Sequence, residues 1–296
     1  MKKQTLFTGC ATALATPFTQ EGIDVPALEA LADWQIKEGV SALVACGTTG
    51  EPSTMAQYEL ELTVETVVRA AAGRVPVIAG TGGNNTAHVI AQAKIARALG
   101  ASAQLCVTPY YNKTTQAGLV AHYSAIADAG DLPLILYNVP SRTGLNMSAD
   151  TVIKLSRHER VIALKEANCD LSQLGDAMLG CEGRIAFYSG ADEVIVPLMS
   201  LGGQGVISVI SNVVPRFVCE LSAAMLAQDY ARGARMQLDC LPLIRALFCE
   251  VNPIAVKRAL HLMGKCRDIV RLPLINLSES NTQRLMELMR KMGLLT

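Results

Sequence analysis

With 296 residues, half of them hydrophobic and only 18% charged, the chain is long enough to bury a large core, and its 26 basic and 26 acidic side chains cancel. That balance offers no basic surface for nucleic acid or an anionic membrane, which leaves a small molecule or another protein as partner. No apolar run reaches the ~18 residues that span a bilayer, and the start Met1-Lys2-Lys3-Gln4-Thr5-Leu6-Phe7 lacks the apolar segment of a signal peptide, so a cytoplasmic protein is expected.

The elements follow one grammar. An apolar segment from Cys10 to Ala15 leads through Thr16-Pro17-Phe18 to Asp24, placed to cap a helix with Pro26 in its first turn and Leu28, Leu31, Trp34 and Ile36 on one face. Gly39 ends that helix. A second strand, residues 42–46, runs into Gly47-Thr48-Thr49-Gly50-Glu51 and a helix over 57–72. Strand 77–79 precedes the turn 80–85 and a helix over 86–99, and strand 103–107 precedes Thr108-Pro109-Tyr110-Tyr111-Asn112 and a helix over 116–129. Strand 134–136 precedes Tyr137-Asn138-Val139-Pro140-Ser141-Arg142 and a short helix from Ser148. The sixth strand is Val161-Ile162-Ala163-Leu164, ending in Lys165. Strand 185–188 gives Ser189-Gly190-Ala191-Asp192 and a helix, and strand 205–209 leads to a helix over 215–227.

Eight alternating strands and helices predict an α/β fold, a (β/α)8 TIM barrel over residues 1–228. The alternative is a doubly wound open sheet, supported by Gly80-Thr81-Gly82-Gly83. That turn lacks the third glycine of a dinucleotide fingerprint, and no acidic residue closes a strand about 20 positions later. Beyond Asp229 only helical patterns remain, at 230–248, 253–263 and 281–292. They predict a C-terminal helical domain over 229–296, for packing or oligomerisation. Nine cysteines without a CxxC pair predict reduced, buried thiols, and four isolated histidines predict no protein-bound metal.

A TIM barrel carries its site at the C-terminal ends of the strands, where the unusual polar residues of this chain fall. Lys165 there is either a snorkelling surface lysine or an amine held in a dry pocket, where desolvation favours the neutral nucleophile. Thr48 and Thr49 form either a plain strand-to-helix turn or a cradle for a carboxylate. Tyr110, Tyr111 and Tyr137 are packing aromatics or phenols that carry protons for an imine-forming reaction. Arg142 is a surface residue or a fork for a second carboxylate. Together they point to Lys165 as an imine-forming nucleophile.

The segments GTTGE (47–51), TPYYN (108–112), YNVPSRTG (137–144), LKEA (164–167) and GVISV (205–209) resemble the 4-hydroxy-tetrahydrodipicolinate (dihydrodipicolinate) synthase family over nearly the whole chain. The resemblance implies a barrel with a C-terminal helical domain, usually a homotetramer, and no cofactor. It further implies that Lys165 forms a Schiff base with pyruvate and that the enamine attacks L-aspartate 4-semialdehyde. Tyr137 and Thr48 would relay protons, with Tyr111 reaching in from a neighbouring subunit. Thr48 and Thr49 would hold the pyruvate carboxylate, Arg142 that of the semialdehyde, and Gly190 and Ile207 would line the pyruvate pocket. N-acetylneuraminate lyase and sugar-acid aldolases share the lysine and tyrosine, and Thr49 and Arg142 favour the synthase. Where feedback-inhibited members place an acidic residue and histidines around lysine at a subunit interface, this chain carries His88, Gln57 and Leu60, while Asn84 and Tyr110 are retained. Weak or absent lysine inhibition is expected.

Overall fold

The computed structural model describes Lys3 and residues 5–295; Met1, Lys2 and Gln4 of the segment read for a signal peptide lie outside the described residues, as does Thr296. Strands β1 (Gly9–Ala13), β2 (Ala42–Ala45), β3 (Val77–Gly80), β4 (Ala103–Val107), β5 (Leu134–Asn138), β6 (Val161–Glu166), β7 (Ala186–Ser189) and β8 (Gly205–Ser208) form a closed barrel in sequence order. Every pairing is parallel, and β8 returns to β1 with Gly9 opposite Gly205 and Ala11 opposite Ile207. Closure rules out the open doubly wound sheet.

The outer helices are α1 (Val25–Lys37), α2 (Gln57–Ala71), α3 (Thr86–Ala98), α4 (Gln116–Gly130), a single turn α5 (Pro140–Thr143), α6 (Ala149–Leu155), α7 (Leu171–Cys181), α8 (Ile195–Ser200) and α9 (Pro215–Leu226). Their starts are set locally: Asp24, Asn85, Thr115, Ser148 and Asp170 each accept a backbone N–H of the first turn, satisfying donors that a helix leaves unpaired. The turn α5 was not expected from the sequence. Pro140 starts it and Gly144, with φ 66°, ends it, so a stretch expected as loop carries one helical turn.

Parallel strands covered by helices bury both faces, and nearly every strand residue is buried. Small side chains such as Ala11, Ala13, Ala42, Ala103 and Ala163 share the barrel interior with Val44, Ile78, Ile135 and Ile207. Below the site, Phe7 stacks on Tyr188 at 4.2 Å between centroids, and the Tyr188 hydroxyl donates to the Phe7 carbonyl at 2.7 Å. Beyond α9 come α10 (Tyr230–Leu247), α11 (Ile254–Leu262) and α12 (Glu279–Lys291). Leu243, Ile244, Leu247, Ala255 and Leu285 of these helices join one hydrophobic core with Leu28 and Leu31 of α1, Cys10 of β1 and Val218 of α9.

All nine cysteines are free; five are buried, but Cys169 and Cys249 are exposed, contrary to the expectation of buried thiols. No helix among the described residues is long and apolar enough to cross a membrane.

Candidate active site

Barrel register brings the central pair together. Tyr137 of β5 lies opposite Lys165 of β6, which lies opposite Tyr188 of β7. Alternation along a strand sends residues two apart to the same face, so Tyr137 shares the inward face with Ile135, and Lys165 with Ala163. The Lys165 side chain is therefore almost fully buried, and its Nζ sits 4.3 Å from the centroid of the Tyr137 ring.

A cavity of about 240 Å³ opens above this pair, lined by Thr48, Thr49, Tyr137, Arg142, Lys165 and Gly190 among others. Six of the predicted site residues thus meet at the C-terminal mouth of the barrel. Thr48 and Thr49 arrive on a 3-10 turn, Thr48–Gly50, directly after β2, and Arg142 on α5. Arg142 is exposed, and no carboxylate pairs with it among the described residues. Gly190 follows β7 where only hydrogen fits. A Cβ there would stand 2.9 Å from the Ala167 Cβ, 3.0 Å from the Lys165 Cγ and 3.1 Å from the Glu166 carbonyl oxygen. Gly190→Ala should accordingly push the Lys165 stem aside, lowering kcat by at least about tenfold and costing ~1–3 kcal/mol of stability. Steady-state kinetics and urea unfolding check both; an unchanged kcat would show that the stem tolerates the methyl.

Two predicted residues lie elsewhere. Ile207 is fully buried in the barrel interior and does not line this cavity; Val209, two residues on, does. Tyr111 is 92% exposed with φ 67°, and its ring borders neither cavity of this chain. Asn84, His88, Tyr110 and Gln57 instead border a larger cavity of about 570 Å³, which shares Thr48, Tyr137, Val139 and Arg142 with the smaller one. Among the described residues no aspartate or glutamate lines it. Its polar wall is tied together by amides: Asn84 Nδ2 donates to the Tyr110 carbonyl at 3.2 Å, and Gln57 Nε2 donates to Gln92 Oε1 at 3.3 Å.

Several lining residues escape a reading by motif. Asp192 is buried, accepts from the Ser208 hydroxyl at 2.6 Å and from the N–H groups of Val209 and Ile210 at 3.0 and 3.2 Å, and borders the smaller cavity. Burial raises its pKa, while these hydrogen bonds and the positive charge of Lys165 pull it back. Its place in the turn after β7 was a usable signal. Glu166 falls on the opposite strand face to Lys165, where Asn138 Nδ2 donates to both its oxygens at 3.0 and 3.1 Å and the Asn168 N–H donates at 2.7 Å. Burial pushes this carboxyl up to about 7 against those bonds. Ile244, Phe248 and Asn252 also line the smaller cavity. Ile244 lies on α10 and Phe248 and Asn252 in the connection from α10 to α11, and no local signal ties them to a turn some 200 residues earlier.

The turn after β2 is gripped from that side. Lys257 of α11 is fully buried, and its Nζ lies 2.7 Å from Glu51 Oε1 and 4.0 Å from the centroid of the Phe18 ring. Glu51 Oε2 accepts the Arg271 N–H at 3.0 Å, while the Arg271 guanidinium forks onto Glu59. These bonds hold Glu51 in the left-handed conformation, φ 57°, which side chains rarely adopt.

A sequence model described as the dihydrodipicolinate synthetase family matches residues 6–292. The chain belongs to this family. A 4-hydroxy-tetrahydrodipicolinate synthase of Exiguobacterium sibiricum is 50% identical over 286 residues, covering 96% of this chain and 98% of its own. One from Thermoanaerobacter sp. is 47% identical over 291 residues, covering 98% of each. Among solved structures, the dihydrodipicolinate synthase of Acinetobacter baumannii complexed with pyruvate superposes with a TM-score of 0.96 at 42% identity, covering 98% of this chain and all of that one. The family barrel with a C-terminal helical part is the architecture found here.

Proposed function

We propose that this chain condenses pyruvate with L-aspartate 4-semialdehyde through an imine on Lys165, giving 4-hydroxy-tetrahydrodipicolinate in the diaminopimelate route to lysine. The observation that carries the reading is the buried Lys165 amine 4.3 Å from the Tyr137 ring, in a cavity that also holds two threonine hydroxyls and a guanidinium. The amine attacks the pyruvate carbonyl carbon, and the carbinolamine loses water to an imine. Loss of a methyl proton gives the enamine, whose carbon attacks the semialdehyde aldehyde; cyclisation then frees the lysine. The imine is itself the electron sink, so the proposed reaction needs no cofactor.

Tyr137 and Thr48 relay protons between carbinolamine and solvent, completed by Tyr111 of a neighbouring subunit in a homotetramer. Its 92% exposure in one protomer suits that role. Thr48 and Thr49 hold the pyruvate carboxylate, Arg142 the carboxylate of the semialdehyde, and Gly190 gives the pyruvate close access to Lys165. The protein works in the cytoplasm, where its substrates arise.

The deciding experiment is pyruvate consumption by the purified protein on adding L-aspartate 4-semialdehyde, with N-acetylneuraminate cleavage run alongside. Semialdehyde-dependent loss of pyruvate is expected; pyruvate released from the sialic acid instead would transfer the barrel to the lyase reading. Arg142→Ala should lower kcat/KM for the semialdehyde by about 10- to 100-fold, the worth of hydrogen bonds to a charged group. Imine formation with pyruvate, followed by borohydride trapping, should change little. Equal damage to both steps would contradict the assignment. In the larger cavity, an ammonium ligand finds Arg142 and His88 but no carboxylate, so lysine should inhibit only above about 1 mM, the affinity of a contact worth no more than ~4 kcal/mol. A steady-state inhibition constant well below that value would overturn this.

A further inference from the structure

Asn252 stands at the junction of the C-terminal helices and the smaller cavity. It is buried, it borders the cavity, and its Nδ2 donates to the Thr49 hydroxyl oxygen at 2.9 Å. Its Oδ1 is fully enclosed with no hydrogen-bond partner among the described residues. A buried amide oxygen without a partner is uncommon in folded proteins. The amide is thus oriented toward Thr49 at the expense of its own satisfaction.

The direction of that bond has a chemical consequence. A hydroxyl carries one donor and two acceptor positions. An amide nitrogen can only donate, so it occupies an acceptor position of Thr49 and leaves the hydroxyl proton free to point at an anion in the cavity. Two residues beyond Thr49, Lys257 bonds Glu51 at 2.7 Å. Both grips issue from one stretch of chain, with Asn252 five residues before Lys257, so the C-terminal helices hold the turn in register as well as in polarity.

We propose that Asn252 is a positioning residue for pyruvate, setting the orientation and donor polarity of the Thr49 hydroxyl; this rests on the reading above that Thr49 binds the pyruvate carboxylate. The C-terminal helices thereby form part of the substrate site in addition to packing on the barrel.

The test is a set of steady-state measurements with pyruvate varied at saturating semialdehyde, on Asn252→Ala, Thr49→Val, the double variant and Asn252→Asp. Asn252→Ala should raise KM for pyruvate about tenfold with kcat held within about twofold, the effect of weakening one hydrogen bond to a charged ligand. The double variant should match Thr49→Val alone, because Asn252 acts only through that hydroxyl. Asn252→Asp keeps the shape but can only accept at neutral pH, so it draws the Thr49 proton away and sets a negative charge near the carboxylate. It should raise KM further, and it carries the test if the alanine variant does not fold. A fall in kcat with unchanged KM, multiplicative effects in the double variant, or an Asn252→Asp variant with normal KM would each overturn the proposal. If Thr49→Val itself leaves KM unchanged, the reading of Thr49 has failed and the proposal falls with it. Absence of turnover in the unaltered protein would instead mark failure of the proposed reaction.

Discussion

Lys165→Ala should abolish the covalent adduct that borohydride traps from pyruvate and lower kcat by at least on the order of 10³-fold, since Lys165 is the one lysine among the described residues that lines the smaller cavity. Among the described residues the only other lysine nine-tenths buried or more is Lys257, and its amine is engaged by Glu51. The fold should survive. Lys165 makes no salt bridge among the described residues, and its recorded partner is the face of Tyr137, an interaction worth about 0.5–2 kcal/mol. Intact-mass spectrometry after trapping, with circular dichroism on the same sample, separates chemistry from folding. An unchanged adduct would place the nucleophile on another residue and remove the central step of the proposed mechanism.

Lys257→Met should destabilise the protein by ~3–5 kcal/mol, the cost of leaving a buried charge without its partner. Glu51 is nearly as buried as Lys257, and its remaining partner is one backbone N–H from Arg271. Burial lowers the lysine pKa, while the Glu51 carboxylate opposes that shift. The double variant Lys257→Met/Glu51→Leu should recover most of the loss, because an apolar pair of similar volume carries no desolvation penalty. Urea unfolding at fixed protein concentration measures all three forms. A single-variant loss under about 1 kcal/mol is the value of an exposed pair, and would mean that water reaches Glu51. The surface pairs of the chain provide a contrast: Lys37 with Asp33 and Arg69 with Glu29 are well exposed, and removing either should cost no more than that.

How much was legible in advance follows from the range of each interaction. The apolar strands and the capped helices were readable because a helix start depends on neighbours three residues away, as at Asp24 with Ala27 and Ser148 with Thr151. The repeat of strand and helix then left few topologies open. Lys165, Tyr137, Thr48, Thr49 and Arg142 were reachable because a barrel collects strand ends at one mouth, whereas Gly190 was named through the family resemblance. Ile207 was named through the family resemblance alone; it packs in the barrel interior, and Val209, two residues on, lines the smaller cavity. Tyr111 was likewise named through the resemblance, as a residue acting on a neighbouring subunit, and its side chain is 92% exposed in one protomer.

The amino-acid sequence by itself determined the alternation of elements, the barrel and the set of polar residues at its mouth, because these rest on periodicity and on contacts local in the chain. Only the tertiary structure decided that Tyr137 and Lys165 are cross-strand neighbours, that Glu51 is neutralised by Lys257, and that Asn252 donates to Thr49. The last two join residues more than 200 positions apart. A lysine, a glutamate or an asparagine reads as an ordinary polar residue in its own segment, and it gains its function only when burial removes water and leaves one partner within reach.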